Sequence, residues 1–145
     1  MPRLMTKANG EREFAVATMI EARWECEVHG YGDLSPFDWA IVKDGKVKAL
    51  AEFKSRDNDS LKYKTIFVSL RKYIDIMRGA VAMKCKAFYI VEYHDQVKFL
   101  ELSNDLTGVM VSFKGREDRG ISADMEPMLE YPISQMKELR PCSKN

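Results

Sequence analysis

Asp38, Glu52 and Lys54 are the residues whose types and spacing could do chemistry together. They lie near the ends of two segments, 37–42 and 46–54, that are joined at Lys43-Asp44-Gly45 and form the clearest hairpin in the chain. Whether they meet depends on register. If Asp44-Gly45 alone formed a two-residue turn, Asp38 would face the opposite side of the sheet from Glu52 and Lys54, because opposed residues share a face and faces alternate. A three-residue loop, with Gly45 left-handed and a bulge, shifts the pairing by one and puts Asp38 opposite Leu50. All three residues then share one face, with Asp38 and Glu52 diagonal neighbours roughly 7 to 8 Å apart at the backbone. Two carboxylates so placed could share one cation.

The rest of the hairpin explains why the strands form. Phe37, Trp39 and Ile41 alternate on one strand and Val47, Ala49, Ala51 and Phe53 on the other, which is the pattern of a packed sheet face. Ala40, Val42 and Leu50 make the reactive side apolar too, so both faces are expected to be buried apart from the charged end. Carboxylates in such a strand must pair or bind metal, because a buried charge without a partner is costly. A plain ion pair of Glu52 or Asp38 with Lys54 satisfies that requirement as well, and residue types alone do not choose between the two.

Around this hairpin the pattern predicts a helix over residues 10–23, with Asn9 as cap and Glu11 and Glu13 in its first turn. A strand over 26–29 and a turn-rich segment over 30–36 follow, then the hairpin and a polar loop over 55–60. A long apolar helix is expected over 64–83, and a second hairpin from 87–93 and 97–102, turning at His94-Asp95-Gln96. A strand near 109–113, a charged loop over 115–124 and a short helix after Pro132 complete the chain. The Met-rich tail, Met125, Met128 and Met136, reads as core filling. The order suggests one α/β domain over 1–145, with helices covering a central mixed β-sheet.

Asp38 after Pro36-Phe37, then a hairpin, then Glu52-Phe53-Lys54, resembles the signature of the PD-(D/E)XK nuclease superfamily. The flanking helices match that family's core of helix, three strands, helix and strand, and the resemblance covers roughly residues 10–93. Residues 94–145 would add strands and the short C-terminal helix. Phe37 is an extra residue between the family's usual Pro-Asp pair. The resemblance implies a restriction-endonuclease-like fold and a metal-dependent nuclease that hydrolyses DNA phosphodiester bonds. Asp38, Glu52 and the Phe53 carbonyl would hold Mg²⁺ or Mn²⁺, hard cations that take oxygen ligands. Lys54 would orient water or offset transition-state charge. Two alternatives share these residues: a Holliday-junction-type resolvase, and a DNA-binding or assembly protein that keeps the fold without turnover.

Many members of that family add a glutamate from the first helix. Among Glu11, Glu13 and Glu21, Glu13 falls in line with Val16, Ala17, Ile20 and Trp24, the stripe that must face the sheet. Its competing role is to complement the helix dipole. On the second helix Thr65, Ser69 and Lys72 recur at spacings of four and three. Ser69 and Lys72 are therefore candidate phosphate contacts, with Tyr63 and Lys64 at the helix entrance, although a solvent-facing side would look the same.

Composition narrows the classes further. The chain has 145 residues and a net charge of +1, so DNA contacts must come from local clusters such as Arg56, Lys62, Lys64, Arg71, Lys72 and Arg78. Cys26, Cys85 and Cys142 are too far apart for a zinc knuckle and read as free thiols. His29 and His94 stand outside any motif, and no phosphate loop or dinucleotide fingerprint is present. No apolar run reaches the roughly 18 residues of a membrane span, and no signal segment is recognisable. The expected setting is the cytoplasm, that of a host cell if the source is viral, with DNA as partner, no membrane, and a homodimer as an arrangement suited to cutting two strands.

Overall fold

The computed structural model describes residues 7–31, 35, 37–114 and 126–139. The charged loop, Met125 and Cys142 lie outside them. The first helix, α1 (Lys7–Trp24), begins before Asn9, so Glu11 and Glu13 fall in its second turn rather than its first. β1 (Glu27–Gly30), β2 (Trp39–Lys43) and β3 (Lys46–Ser55) follow, each antiparallel to the strand before it.

The expected long helix over 64–83 is in fact two elements. β4 (Thr65–Ser69) precedes α2 (Leu70–Met83). Thr65-Ile66-Phe67-Val68 is a β-branched and aromatic run whose Ile66 and Val68 are buried and whose alternate residues are partly exposed, a strand pattern that overrides the helical spacing seen in the sequence. Ser69 ends the strand and caps α2, its Oγ accepting from the Lys72 N–H at 3.4 Å. Tyr63 and Lys64 therefore precede a strand, and the stripe through Thr65, Ser69 and Lys72 spans two elements.

β5 (Lys86–Glu92) pairs parallel with β3, and β6 (Val97–Leu102) returns antiparallel. The main sheet, completed by β9 (Lys137–Glu138), has the order β1-β2-β3-β5-β6-β9, a mixed sheet as expected. β7 (Met110–Lys114) and β8 (Glu126–Pro132) join β4 in a second sheet of order β4-β8-β7, which the sequence reading lacked. The short helix after Pro132 is a single 3₁₀ turn, Ile133–Gln135.

Two apolar cores sit on the two faces of the main sheet. On one, Val16, Ala17 and Ile20 of α1 meet Trp39, Ala51, Phe53 and Ile90. On the other, Ile76 and Ala80 of α2 meet Leu50, Tyr89 and Leu100, with Ile66, Val68, Leu129 and Tyr131 of the second sheet. β3 is thus covered on both sides, and its last residues, Glu52 to Ser55, emerge between α1 and α2. Met136 is buried in the second core, as core filling requires. Cys26 and Cys85 are free, and burial pushes the Cys26 thiol up to about 11.

Candidate active site

Asp38 and Glu52 do come together, by a different route from the expected loop. The turn is the two-residue kind, with Lys43 paired to Lys46 and both Asp44 (φ 53°) and Gly45 (φ 73°) left-handed. The one-residue shift comes from a bulge within β3. Val42 pairs with Val47 but Ile41 with Ala49, which leaves Lys48 as the extra residue. Leu50 therefore pairs with Ala40, not Asp38, and with Trp39 against Ala51 the same register brings Asp38 level with Glu52. The bulge also turns Val47 toward the α2 core, where Phe37 packs as well, although both were expected on the Trp39 face.

The backbone holds Asp38 tightly. Its N–H donates to the Ala51 carbonyl at 3.0 Å, and its Oδ2 accepts from the Phe53 N–H at 2.8 Å. Asp38 is thus bonded to the backbone on both sides of Glu52, once through its own N–H and once through its carboxylate.

Glu52 is only 4% exposed. Its Oε2 lies 3.3 Å from Lys54 Nζ and 3.7 Å from Lys72 Nζ, while Oε1 is buried without a hydrogen-bond partner. Such an orphaned oxygen costs on the order of 1–3 kcal/mol, more for a charged group. Burial raises the Glu52 pKa, the Asp38 charge adds to that, and Lys54 and Lys72 only partly oppose it. The ion pair foreseen between Glu52 and Lys54 exists, yet it leaves one carboxylate oxygen unsatisfied.

A cleft of about 360 Å³ opens on this group, lined by Arg12, Glu13, Asp38, Glu52, Phe53, Lys54, Ser55 and Lys72. Glu13 of α1 reaches the cleft, as its stripe suggested, whereas Glu21 accepts from the Val28 N–H at 2.9 Å and Glu11 is exposed. Its second-turn position weakens the helix-dipole alternative, since that effect falls off within the first turn. Lys72 enters the cleft directly from α2. Ser69, Tyr63 and Lys64 do not line it. Ser69 acts through its cap, which fixes where α2 starts and hence where Lys72 points. Ser69→Ala is expected to cost about 1 kcal/mol of stability, read as a lower melting temperature. Arg12 and Ser55 were missed in the sequence: Arg12 donates to Ser55 Oγ at 2.9 Å, and Ser55 donates to Glu92 Oε1 at 3.1 Å.

The donor set fits a divalent cation. The carboxylates of Asp38 and Glu52 face the cleft together, with Glu13 on its α1 side, and among the described residues no three His, Cys, Asp or Glu side chains gather closely as metal ligands. One or two carboxylates suffice for a hard divalent cation that keeps several waters and also binds substrate phosphates.

An acid just before one hairpin strand, Glu52-Phe53-Lys54 near the end of the next, and helices on both sheet faces define a PD-(D/E)XK nuclease. The chain belongs to the family described as "Phage putative PDDEXK endonuclease", whose model matches residues 1–139. Its fold is similar to that of Hjc, a Holliday junction resolvase from the archaeal hyperthermophile Archaeoglobus fulgidus. The TM-score is 0.59 at 12% identity, over 91% of this chain and 93% of that one. No curated protein matches the chain. The protein is a nuclease of that family. No helix of the described residues is long and apolar enough to cross a membrane.

Proposed function

We propose that this nuclease hydrolyses DNA phosphodiester bonds with Mg²⁺ or Mn²⁺ held by Asp38, Glu52 and the Phe53 carbonyl. The observation that carries the reading is the buried, unpartnered Glu52 Oε1 beside a backbone-pinned Asp38. A cation bound there supplies positive charge against the phosphate oxygens and makes water more acidic. Lys54, half-exposed and 3.3 Å from Glu52, orients the attacking water and offsets charge that grows in the transition state. Glu13 faces the same cleft from α1 and positions water or a further ion. Lys72 holds the scissile phosphate, exchanging Glu52 for the incoming anion. Ser69 supports that contact by capping the start of α2. The substrate is DNA in a cytoplasm, that of the host for a phage-encoded enzyme, and a homodimer would present two such sites to two strands.

The similarity to the resolvase Hjc favours a second reading for the substrate, a branched rather than linear duplex. Incubation with linear, single-stranded and four-way DNA, in Mg²⁺, Mn²⁺ or chelator, separates the readings. Cutting that needs metal is expected. Preference for the four-way substrate would favour the resolvase, and no cutting of any DNA in either metal would overturn both.

A further inference from the structure

Beyond the end of β3 lies a second cavity, of about 280 Å³, on the same side of the main sheet as Glu52. It is lined by Arg56, Asn58, Tyr63, Phe67, Tyr93 and Ile133 among others. The catalytic chemistry described above does not use it. Arg56 follows Lys54 by two residues, roughly 7 Å of extended backbone. Ser55 lines the catalytic cleft and the next residue, Arg56, lines the cavity, so the two are neighbours.

We infer that this cavity receives one unpaired nucleobase of the substrate strand, next to the phosphate that is cut. The inference rests on the nuclease reading and adds how the substrate is chosen. Its size lies just below the roughly 300–1,000 Å³ of sites for drug-sized ligands, which suits a single planar heterocycle and not a base pair. Aromatic rings at Tyr63, Phe67 and Tyr93 give a base faces to stack on, as in sites for single-stranded nucleic acid. The Arg56 guanidinium and the Asn58 amide offer donors to its edge. Lys62 and Lys64 flank Tyr63 and are exposed, and Lys62 Nζ stands 5.4 Å from the Tyr63 ring centre, which puts positive charge at the mouth for the adjoining phosphates.

The cavity is formed in advance. Ser60, 1% exposed, donates from N to Asp95 Oδ1 at 2.8 Å and from Oγ to Asp95 Oδ2 at 2.7 Å, and its Oγ accepts from Gln96 Nε2 at 2.7 Å. The His94 N–H donates to the Asn58 carbonyl at 3.1 Å. These bonds clamp the loop before β4 onto the turn between β5 and β6, so little loop entropy is lost when a base enters. A base can enter only when it is out of the stack, which costs least at a junction, flap or frayed end. The enzyme therefore selects DNA with unpaired nucleotides beside the cut.

An abasic scan tests this. Affinity of the complete chain is measured in chelator, without cutting, for oligonucleotides in which one base at a time is removed. The expected result is one position where removal weakens binding about tenfold, the range of a single stacked base. Tyr63→Ala should bind intact DNA more weakly and lose that positional effect, while Tyr63→Trp should keep it. Tyr63 is 57% exposed, so folding of the variants is checked by melting and is expected to persist. A flat scan in the wild type, or an unchanged positional effect in Tyr63→Ala, would overturn the inference. Metal-dependent cutting by the wild type reports separately on the nuclease reading.

Discussion

Glu52→Gln is expected to lower cutting by a factor of 10³ or more, about 4 kcal/mol of transition-state stabilisation, and at the same time to stabilise the metal-free fold at neutral and higher pH. The first effect follows because a neutral amide cannot supply the charge that holds the cation. The second follows from the raised pKa of Glu52, caused first by burial and then by Asp38. A carboxyl whose folded pKa is raised contributes stability that is complete below the ordinary carboxylate range. That stability is lost as pH rises through the raised value. Metal-free wild-type protein should thus lose stability as pH climbs above the carboxylate range, and Glu52→Gln should flatten that slope. Added metal should restabilise the wild type, more so at higher pH where Glu52 is ionised, because binding to the folded state adds to its stability. Melting curves against pH, with and without Mn²⁺, read all three effects.

Lys54→Met is expected to separate chemistry from binding. Lys54 reaches Glu52 Oε2 at 3.3 Å, but Lys72 touches the same oxygen at 3.7 Å and remains to balance the carboxylate. The fold and the metal site should therefore survive. What disappears is a donor aimed at charge that grows in the transition state, and losing one such donor costs roughly 10² to 10³ in kcat. Single-turnover cutting with saturating metal should show that fall, with affinity for DNA in chelator changed much less. An equal fall in metal affinity would instead make Lys54 a structural partner of Glu52.

These residues could be found in the sequence because their placement is local. Hairpin pairing and two-residue alternation bring Asp38, Glu52 and Lys54 to one face, and helical spacing brings Glu13 toward the same sheet. The device that achieves the pairing, a bulge at Lys48, was not legible: a bulge and a longer loop produce the same parity, and only the backbone distinguishes them. The second sheet was hidden for another reason. β4 runs into α2 with no Gly or Pro between them, so its residues extend a helical pattern. Its partner β8 lies some sixty residues later, and Ile66 meets Tyr131 only through that long-range pairing. With the helix start misjudged, Ser69 and Lys72 were read as residues of one helix lining the cleft; Ser69 instead caps α2, and Lys72 reaches Glu52 from its first turn. The cavity at Arg56 and Tyr93 combines a loop, a strand and a turn from separate parts of the chain, which no local pattern describes.

Titration of Mn²⁺ into folded wild type, Asp38→Ala and Glu52→Gln, followed by calorimetry at fixed pH, tests the metal site most directly. The proposed site predicts a binding event in the wild type that both substitutions abolish. Undiminished binding in either variant would contradict the assignment of Asp38 and Glu52 as the ligands.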